Sequence, residues 1–192
     1  LIINVVDINK ERIKNWNSLD FANLPVYEPG LDKIIEKCRD VNLFFSTDIE
    51  RCISEADVVF LSVNTPTKTK GIGAGKASDL KWVEASARQI AKFAKSTTIV
   101  VEKSTLPVRT AEVINNILNS SESNSKREEI SFDVLSNPEF LAEGTAIKDL
   151  DSPDRVLIGG DNKQAMIALS DIYKAWVLSL IHISEPTRLH VI

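Results

Sequence analysis

Two carboxylates, Glu139 and Glu143, stand four residues apart in the run Ser136-Asn137-Pro138-Glu139-Phe140-Leu141-Ala142-Glu143-Gly144. If that run is helical they share a face, and in a crevice one of them can hold or deprotonate a water as general base. Two solvated side chains are the plainer alternative. The histidines, His182 and His190, both fall in the last stretch of the sequence, so acid–base work elsewhere is left to carboxylates, hydroxyls or Lys103. Glu102-Lys103-Ser104-Thr105 closes a second apolar run, and Pro107 follows in the first turn of a helix. Ser104 or Thr105 can be the N-cap of that helix, and a capping hydroxyl at the carboxyl end of a strand also faces the place where a ligand would lie. Leu61-Ser62-Val63-Asn64-Thr65-Pro66 closes a third. Its small polar residues and proline let the backbone turn sharply beside a cofactor, or simply make a strand-to-loop turn.

Asp7, at the end of Val5-Val6-Asp7, is the residue type that accepts hydrogen bonds from the adenosine ribose of NAD and repels the 2′-phosphate of NADP. Arg12 can lie over the adenine face. Asp7 reads equally well as a cap for a helix beginning at Ile8. Gly71-Ile72-Gly73-Ala74-Gly75 imitates a phosphate-cradling loop. However, Thr65–Lys70 separates it from the strand, whereas the fingerprint needs glycines directly between strand and helix. It reads as a mobile flap.

These residues need a frame. Strand-like runs cover Leu1–Asp7, Asn42–Ser46, Asp57–Asn64, Thr97–Lys103, Ser131–Ser136 and Arg155–Gly159. Most are continuous, as in Val58-Val59-Phe60-Leu61, the pattern of parallel strands covered on both faces. Apolar stripes at spacings of three and four lie between them: Leu80, Val83, Ala87, Ile90 and Ala94, capped by Ser78 or Asp79; Val108, Ala111, Ile114, Ile117 and Leu118; and Ala165, Leu169, Ile172, Tyr173 and Trp176. Strand and helix alternating at this rhythm predict an α/β, doubly wound parallel sheet of the Rossmann type. Ligands then bind beyond the carboxyl ends of the strands, so Asp7, Thr65, Thr105 and Glu139 are expected at one rim. Asn17–Gly30 and Thr65–Ser78 are long loops, and Ser120–Glu129 reads as a solvated linker.

The composition sets outer bounds. With 192 residues, a net charge of −4, 43% hydrophobic and 26% charged residues, the chain suits a soluble α/β domain and lacks the basic stripe of a nucleic-acid binder. No apolar run is long enough to span a bilayer. Cys38 and Cys52 lack metal spacing and read as core residues of a cytoplasmic protein.

Taken together, Val5–Asp7, Tyr27–Leu31 (YEPGL), Asn42–Thr47 (NLFFST), Ser62–Thr69 (SVNTPTKT), Glu102–Val108 (EKSTLPV), Ser136–Leu150 (SNPEFLAEGTAIKDL) and Pro153–Asp161 (PDRVLIGGD) resemble the N-terminal NAD-binding part of the UDP-glucose/GDP-mannose dehydrogenase family, in its UDP-glucose-oxidising branch. The resemblance implies NAD as cofactor, UDP-glucose as substrate and two successive oxidations through a thioester to UDP-glucuronate. Asp7 and Arg12 would hold the adenosine end of NAD. Val63, Asn64, Thr65, Pro66, Thr67, Ser104, Thr105 and Glu143 would line the rest. Glu139 would be the general base, Thr105 would help position the catalytic water, and Glu139, Phe140, Leu141, Ala142 and Glu143 would contact the sugar nucleotide. A related nucleotide-sugar dehydrogenase acting on GDP-mannose or a UDP-N-acetylhexosamine is the nearer alternative, and a non-catalytic dinucleotide-binding module the further one.

The match ends near Val177, so residues 1–177 are expected to form the NAD-binding domain and residues 178–192 an anomalous, non-native tail. The first residue is Leu1, inside an apolar run, and no glycine loop precedes Asp7. The family's first strand and its glycine loop are therefore expected upstream. Its thiol nucleophile and oxyanion lysine, which match no residue here, are expected downstream. This chain alone is then expected to be inactive, with Leu1–Asp7 and Asp57–Asn64 each lacking one ladder partner. The full-length protein is expected to be a homo-oligomer with no metal, membrane or nucleic-acid partner.

Overall fold

The computed structural model describes residues 1–70, 76, 78–104, 110–120 and 130–177, and the backbone of residues 182–185. The flap at Gly71–Gly75, Thr105, and nearly all of the linker Ser120–Glu129 lie outside the described residues. The chain divides into two units, Leu1–Cys52 with Phe140–Pro153, and Ile53–Glu139 with Asp154–Ile192.

In the first unit, β1 (Ile3–Val6) leads to α1 (Lys10–Trp16), a short 3-10 turn (Phe21–Asn23), α2 (Leu31–Cys38), β2 (Leu43–Ser46) and the start of α3 (Ile49–Ser54). β1 and β2 pair in parallel, with Ile3 opposite Leu43 and Val6 opposite Ser46. Asn9, the N-cap of α1, accepts the N–H groups of Glu11 and Arg12. The helix buries Ile13 and stacks Trp16 on Phe45 of β2, centroids 5.0 Å apart. The Asn17–Gly30 loop is held by Arg39, whose guanidinium donates to the carbonyls of Trp16 and Ser18. Gly30 takes φ +90° at the start of α2, a left-handed conformation that glycine adopts without the steric penalty of a Cβ.

The second unit contains β3 (Val58–Leu61), α4 (Lys81–Phe93), β4 (Thr98–Glu102), α5 (Thr110–Leu118) and β5 (Phe132–Ser136). After α6 (Ala146–Asp151), which belongs to the first unit, it continues with β6 (Val156–Gly159), α7 (Lys163–Tyr173) and β7 (His182–Glu185). The sheet order is β3-β4-β5-β6-β7. β3, β4 and β5 are parallel, as the continuous apolar runs predict. β4 is the most deeply buried, its residues Thr98 and Val100 to Glu102 all sequestered. Behind β4, β5 and β6, Val101, Leu135, Val156 and Ile158 close on Ala165, Leu169 and Tyr173 of α7 and on Val177. The apolar stripe of α4 buries Val83, Ala87 and Ile90, and Asp79 accepts the Lys81 N–H at its start.

Three features lie beyond what the sequence pattern specified. β6 meets β5 antiparallel, through the single pair Ser136 and Gly159; the Asn137 side chain extends that contact by donating to the Leu157 carbonyl at 2.7 Å. Residues 182–185, inside the stretch set aside as a non-native tail, add a parallel strand to β6. And β1 and β3 are not covered on both faces. Among the described residues each pairs on one side only, and Ile3, Val5 and Phe60 (42% accessible) remain exposed.

Candidate dinucleotide and substrate site

In the first unit, Asp7 follows β1 directly and is half-buried. Its Oδ1 accepts the Asn9 N–H at 2.8 Å and its Oδ2 pairs with Arg12 Nη1 at 3.2 Å. Asp7 thus braces Asn9, the residue that caps α1, and does not cap a helix from Ile8 itself; each oxygen keeps lone-pair capacity for a further donor. Those acceptors suit a ribose diol, whose hydroxyls donate, while a phosphate would meet the carboxylate head-on. Arg12 is exposed and held beside Asp7 by the ion pair.

The run Phe140–Glu143 is exposed. No helix forms from Asn137 to Ala142: proline at 138 disfavours helical backbone at Asn137. The expected shared helical face for Glu139 and Glu143 is therefore not formed. Instead, Glu143 and Gly144, the latter at φ +86°, make a turn into α6. Two carboxylates fasten that turn. Asp149 Oδ2 accepts the Ala142 N–H and the Thr145 hydroxyl at 3.1 and 2.8 Å, which hold its carboxyl below the usual range, the Thr145 bond most of all. Glu28 Oε2 and Oε1 accept the N–H groups of Gly144 and Ala146 at 3.0 and 2.6 Å.

In the second unit, the carboxyl ends of β3, β4 and β5 share one rim. Ser104 ties two of them together: its hydroxyl donates to the carbonyl of Val63 at 2.9 Å and reaches that of Leu61 at 3.3 Å. Its donor is therefore spent on the end of β3 rather than on a helix cap. Past Leu61, Val63 is half-buried, Asn64 exposed and Thr65 half-buried. Pro66 and Thr67 are exposed, and there the loop closes on itself: Asp79 N–H donates to the Pro66 carbonyl at 2.7 Å, and Thr67 bridges Ser78. Thr65 and Glu139 thus follow β3 and β5, the strands on either side of β4, Glu139 with its side chain exposed. Asp7 ends β1 of the other unit, and Thr105 lies outside the described residues.

Sequence reasoning singled out neither Glu102 nor Asn137. Glu102 is buried at the end of β4, and burial pushes its carboxyl up to about 7 against the opposing effect of a hydrogen bond with Ser136. Asn137 is 1% exposed and engaged through both ends of its amide. A charge ending the apolar strand β4, and an amide wedged between β5 and a proline, were the available signals.

Parallel strands with helical crossovers, an acid capping β1, and small polar turns at the carboxyl ends of β3 and β4 define a dinucleotide-binding domain of the doubly wound class. Over residues 2–177 the sequence matches the NAD binding domain of the UDP-glucose/GDP-mannose dehydrogenase family. The chain belongs to that family. It is 60% identical over 177 residues to UDP-glucose 6-dehydrogenase 1 of Glycine max, covering 90% of this chain and 35% of that protein. It is 58% identical over 181 residues to UDP-glucose 6-dehydrogenase of Drosophila melanogaster, covering 92% of this chain and 37% of that protein. The chain therefore spans little more than a third of the length of these relatives. Among solved structures, a UDP-glucose dehydrogenase from Pyrobaculum islandicum superposes with a TM-score of 0.81 at 29% identity, over 96% of this chain and 40% of that one. A ternary complex of GDP-mannose dehydrogenase from Pseudomonas aeruginosa gives 0.78 at 30% identity, over 95% and 40%.

Proposed function

We propose that the protein carrying this domain oxidises UDP-glucose to UDP-glucuronate. NAD, when bound, supplies the hydride acceptor for each of the two oxidations. In this reading Asp7 accepts the adenosine ribose hydroxyls, with Arg12 over the adenine. Val63, Asn64, Thr65, Pro66, Thr67, Ser104 and Thr105 line the remaining length of the dinucleotide, and Glu143 reaches its nicotinamide end. Glu139, an exposed carboxylate two residues after the buried Asn137, takes the proton from the substrate or from a water that the Thr105 hydroxyl helps to hold. Phe140, Leu141, Ala142 and Glu143 bind the sugar nucleotide, on a backbone turn already fixed by Glu28 and Asp149.

One observation carries the substrate choice: the 58–60% identity to proteins named UDP-glucose 6-dehydrogenase. Neither thiol of this chain, half-buried Cys38 nor buried Cys52, matches the family's nucleophile, so the 192 residues alone are expected to produce no NADH. The reading extends to a cytoplasmic homo-oligomer; no helix among the described residues is long and apolar enough to cross a membrane. The test is NADH production by the full-length protein on UDP-glucose, GDP-mannose and UDP-N-acetylhexosamines in parallel. Preference for UDP-glucose is expected, and faster turnover of either other substrate overturns the assignment.

A further inference from the structure

Asn137 stands two residues before Glu139, and the structure spends four hydrogen bonds on it. Its backbone N–H donates to the Glu102 carbonyl at 2.9 Å. Its Nδ2 donates to the Leu157 carbonyl of β6 at 2.7 Å. Its Oδ1 accepts from the Tyr173 hydroxyl at 2.5 Å and from Lys103 Nζ at 3.4 Å. Lys103 Nζ also donates to the Tyr173 hydroxyl oxygen at 3.2 Å and lies 5.9 Å from the centroid of the Tyr173 ring. An ammonium group has donors only. The tyrosine must therefore accept from Lys103 and give its own proton to Asn137, and the amide must present its oxygen to both. No member can flip without leaving a donor facing a donor. Such a chain polarises each link, and a buried amide left half-paired would be costly.

β4, β6 and α7 thus converge on one side chain in front of Pro138, whose ring fixes its own φ. Between that anchor and the backbone of Glu139 only the ψ of Asn137, the ψ of Pro138 and the φ of Glu139 remain to be set. Merely joining β5 to β6 would call for the Leu157 bond alone; the cation and the phenol are superfluous to it. The geometry points to Lys103, Asn137 and Tyr173 as a positioning lock that aims Glu139. None of the three touches the reacting atoms in this account; they act through the backbone leading to it. The proposal rests on Glu139 being the base, as proposed above, and it assigns new roles to an amide, a phenol and an ammonium group.

The test uses the full-length protein with UDP-glucose and NAD. Tyr173→Phe keeps the ring and deletes the hydroxyl. The lock predicts a kcat lower by about ten- to a hundredfold, the scale of a small misplacement of a reacting group, with KM for NAD within about twofold because the dinucleotide contacts are elsewhere. Lys103→Met should behave alike, and Lys103→Arg, which retains a cationic donor, should recover part of the loss. The decisive variant is the double: once Glu139→Gln has removed the base, adding Tyr173→Phe should cost nothing further, whereas a purely structural defect multiplies with it. Wild-type kcat in both Tyr173→Phe and Lys103→Met, or losses that multiply with that of Glu139→Gln, overturn the lock. Should Tyr173→Phe fail to fold, the Lys103 pair at its half-buried position decides the matter by the same criteria. If Glu139→Gln itself turns over at the wild-type rate, the base assignment fails, and the lock falls with it for that separate and visible reason.

Discussion

Glu28 grips the Gly144 turn from the far end of the first unit's sequence: its carboxylate accepts the N–H of Gly144 at 3.0 Å and that of Ala146 at 2.6 Å. Two otherwise unpaired amides at the start of α6 thereby find acceptors. Glu28 lies in the Tyr27–Leu31 motif, where Gly30 at φ +90° starts α2. The motif therefore works as a strut under the turn that carries the exposed run Phe140–Glu143. Glu28→Ala is expected to destabilise the first unit by about 1–3 kcal/mol and to raise KM for the sugar nucleotide more than KM for NAD. Glu28→Gln, which keeps a single acceptor oxygen, should fall between. Thermal unfolding and steady-state kinetics on the full-length protein read both effects. An unchanged KM in a clearly destabilised Glu28→Ala would separate the strut from substrate binding.

Gly160 follows β6, and a Cβ there would stand 2.3 Å from Leu135 Cδ2 and 3.3 Å from the Val134 carbonyl. Leu135 is fully buried, so its methyl has nowhere to retreat. Gly160→Ala is expected to destabilise by about 1–3 kcal/mol, the usual penalty of overpacking, measured by denaturant unfolding. Leu135→Val in the same chain should return part of it, because the shorter side chain vacates the contested space. Additive losses in the double variant would refute the steric account.

The division of the sequence into six strands and alternating helices was legible because most of the strands are written as continuous apolar runs and the helices as stripes. Asp7 and the turn after Leu61 were also legible, since each closes such a run. What stayed hidden was long-range. Nothing in Phe132–Ser136 or Val156–Gly159 announces that the two meet antiparallel through one pair, since strand direction depends on where the intervening chain travels. The Glu139–Glu143 helix was a false periodicity: a spacing of four is helical only where the backbone permits it, and Pro138 with Gly144 does not. Asn137 and Tyr173 looked like a loop polar residue and a core aromatic until folding brought Lys103 to both.

Asp7 separates two roles by substitution. Asp7→Asn keeps an oxygen for the Asn9 N–H but loses the charge that pairs with Arg12. It should weaken NAD binding while relaxing the discrimination against NADP, because the repelling charge is gone. Asp7→Ala removes the acceptor of the Asn9 N–H as well and should add about 1 kcal/mol of destabilisation. Calorimetric titration of NAD and NADP into the full-length variants checks this. An NAD affinity unchanged in Asp7→Ala would leave Asp7 as a brace for Asn9 alone.

Glu102 makes the stability of the second unit depend on pH. Burial raises its carboxyl from 4.5 to about 7, so the folded domain holds this proton more tightly than the unfolded chain does. Between those values the native state binds more protons than the unfolded one, and stability must fall as pH rises. The contribution is present in full below pH 4.5 and is gone once pH has passed about 7. Its size is at most about 3 kcal/mol, less where water reaches the carboxylate. Glu102→Gln cannot ionise and remains a hydrogen-bonding partner for Ser136. Denaturant unfolding at pH 5 and pH 8 should therefore show a smaller drop in the variant than in the parent, with the variant the more stable of the two at pH 8. A parent and variant that lose stability in parallel over this interval would assign the dependence to other groups and leave Glu102 ionised in its buried place.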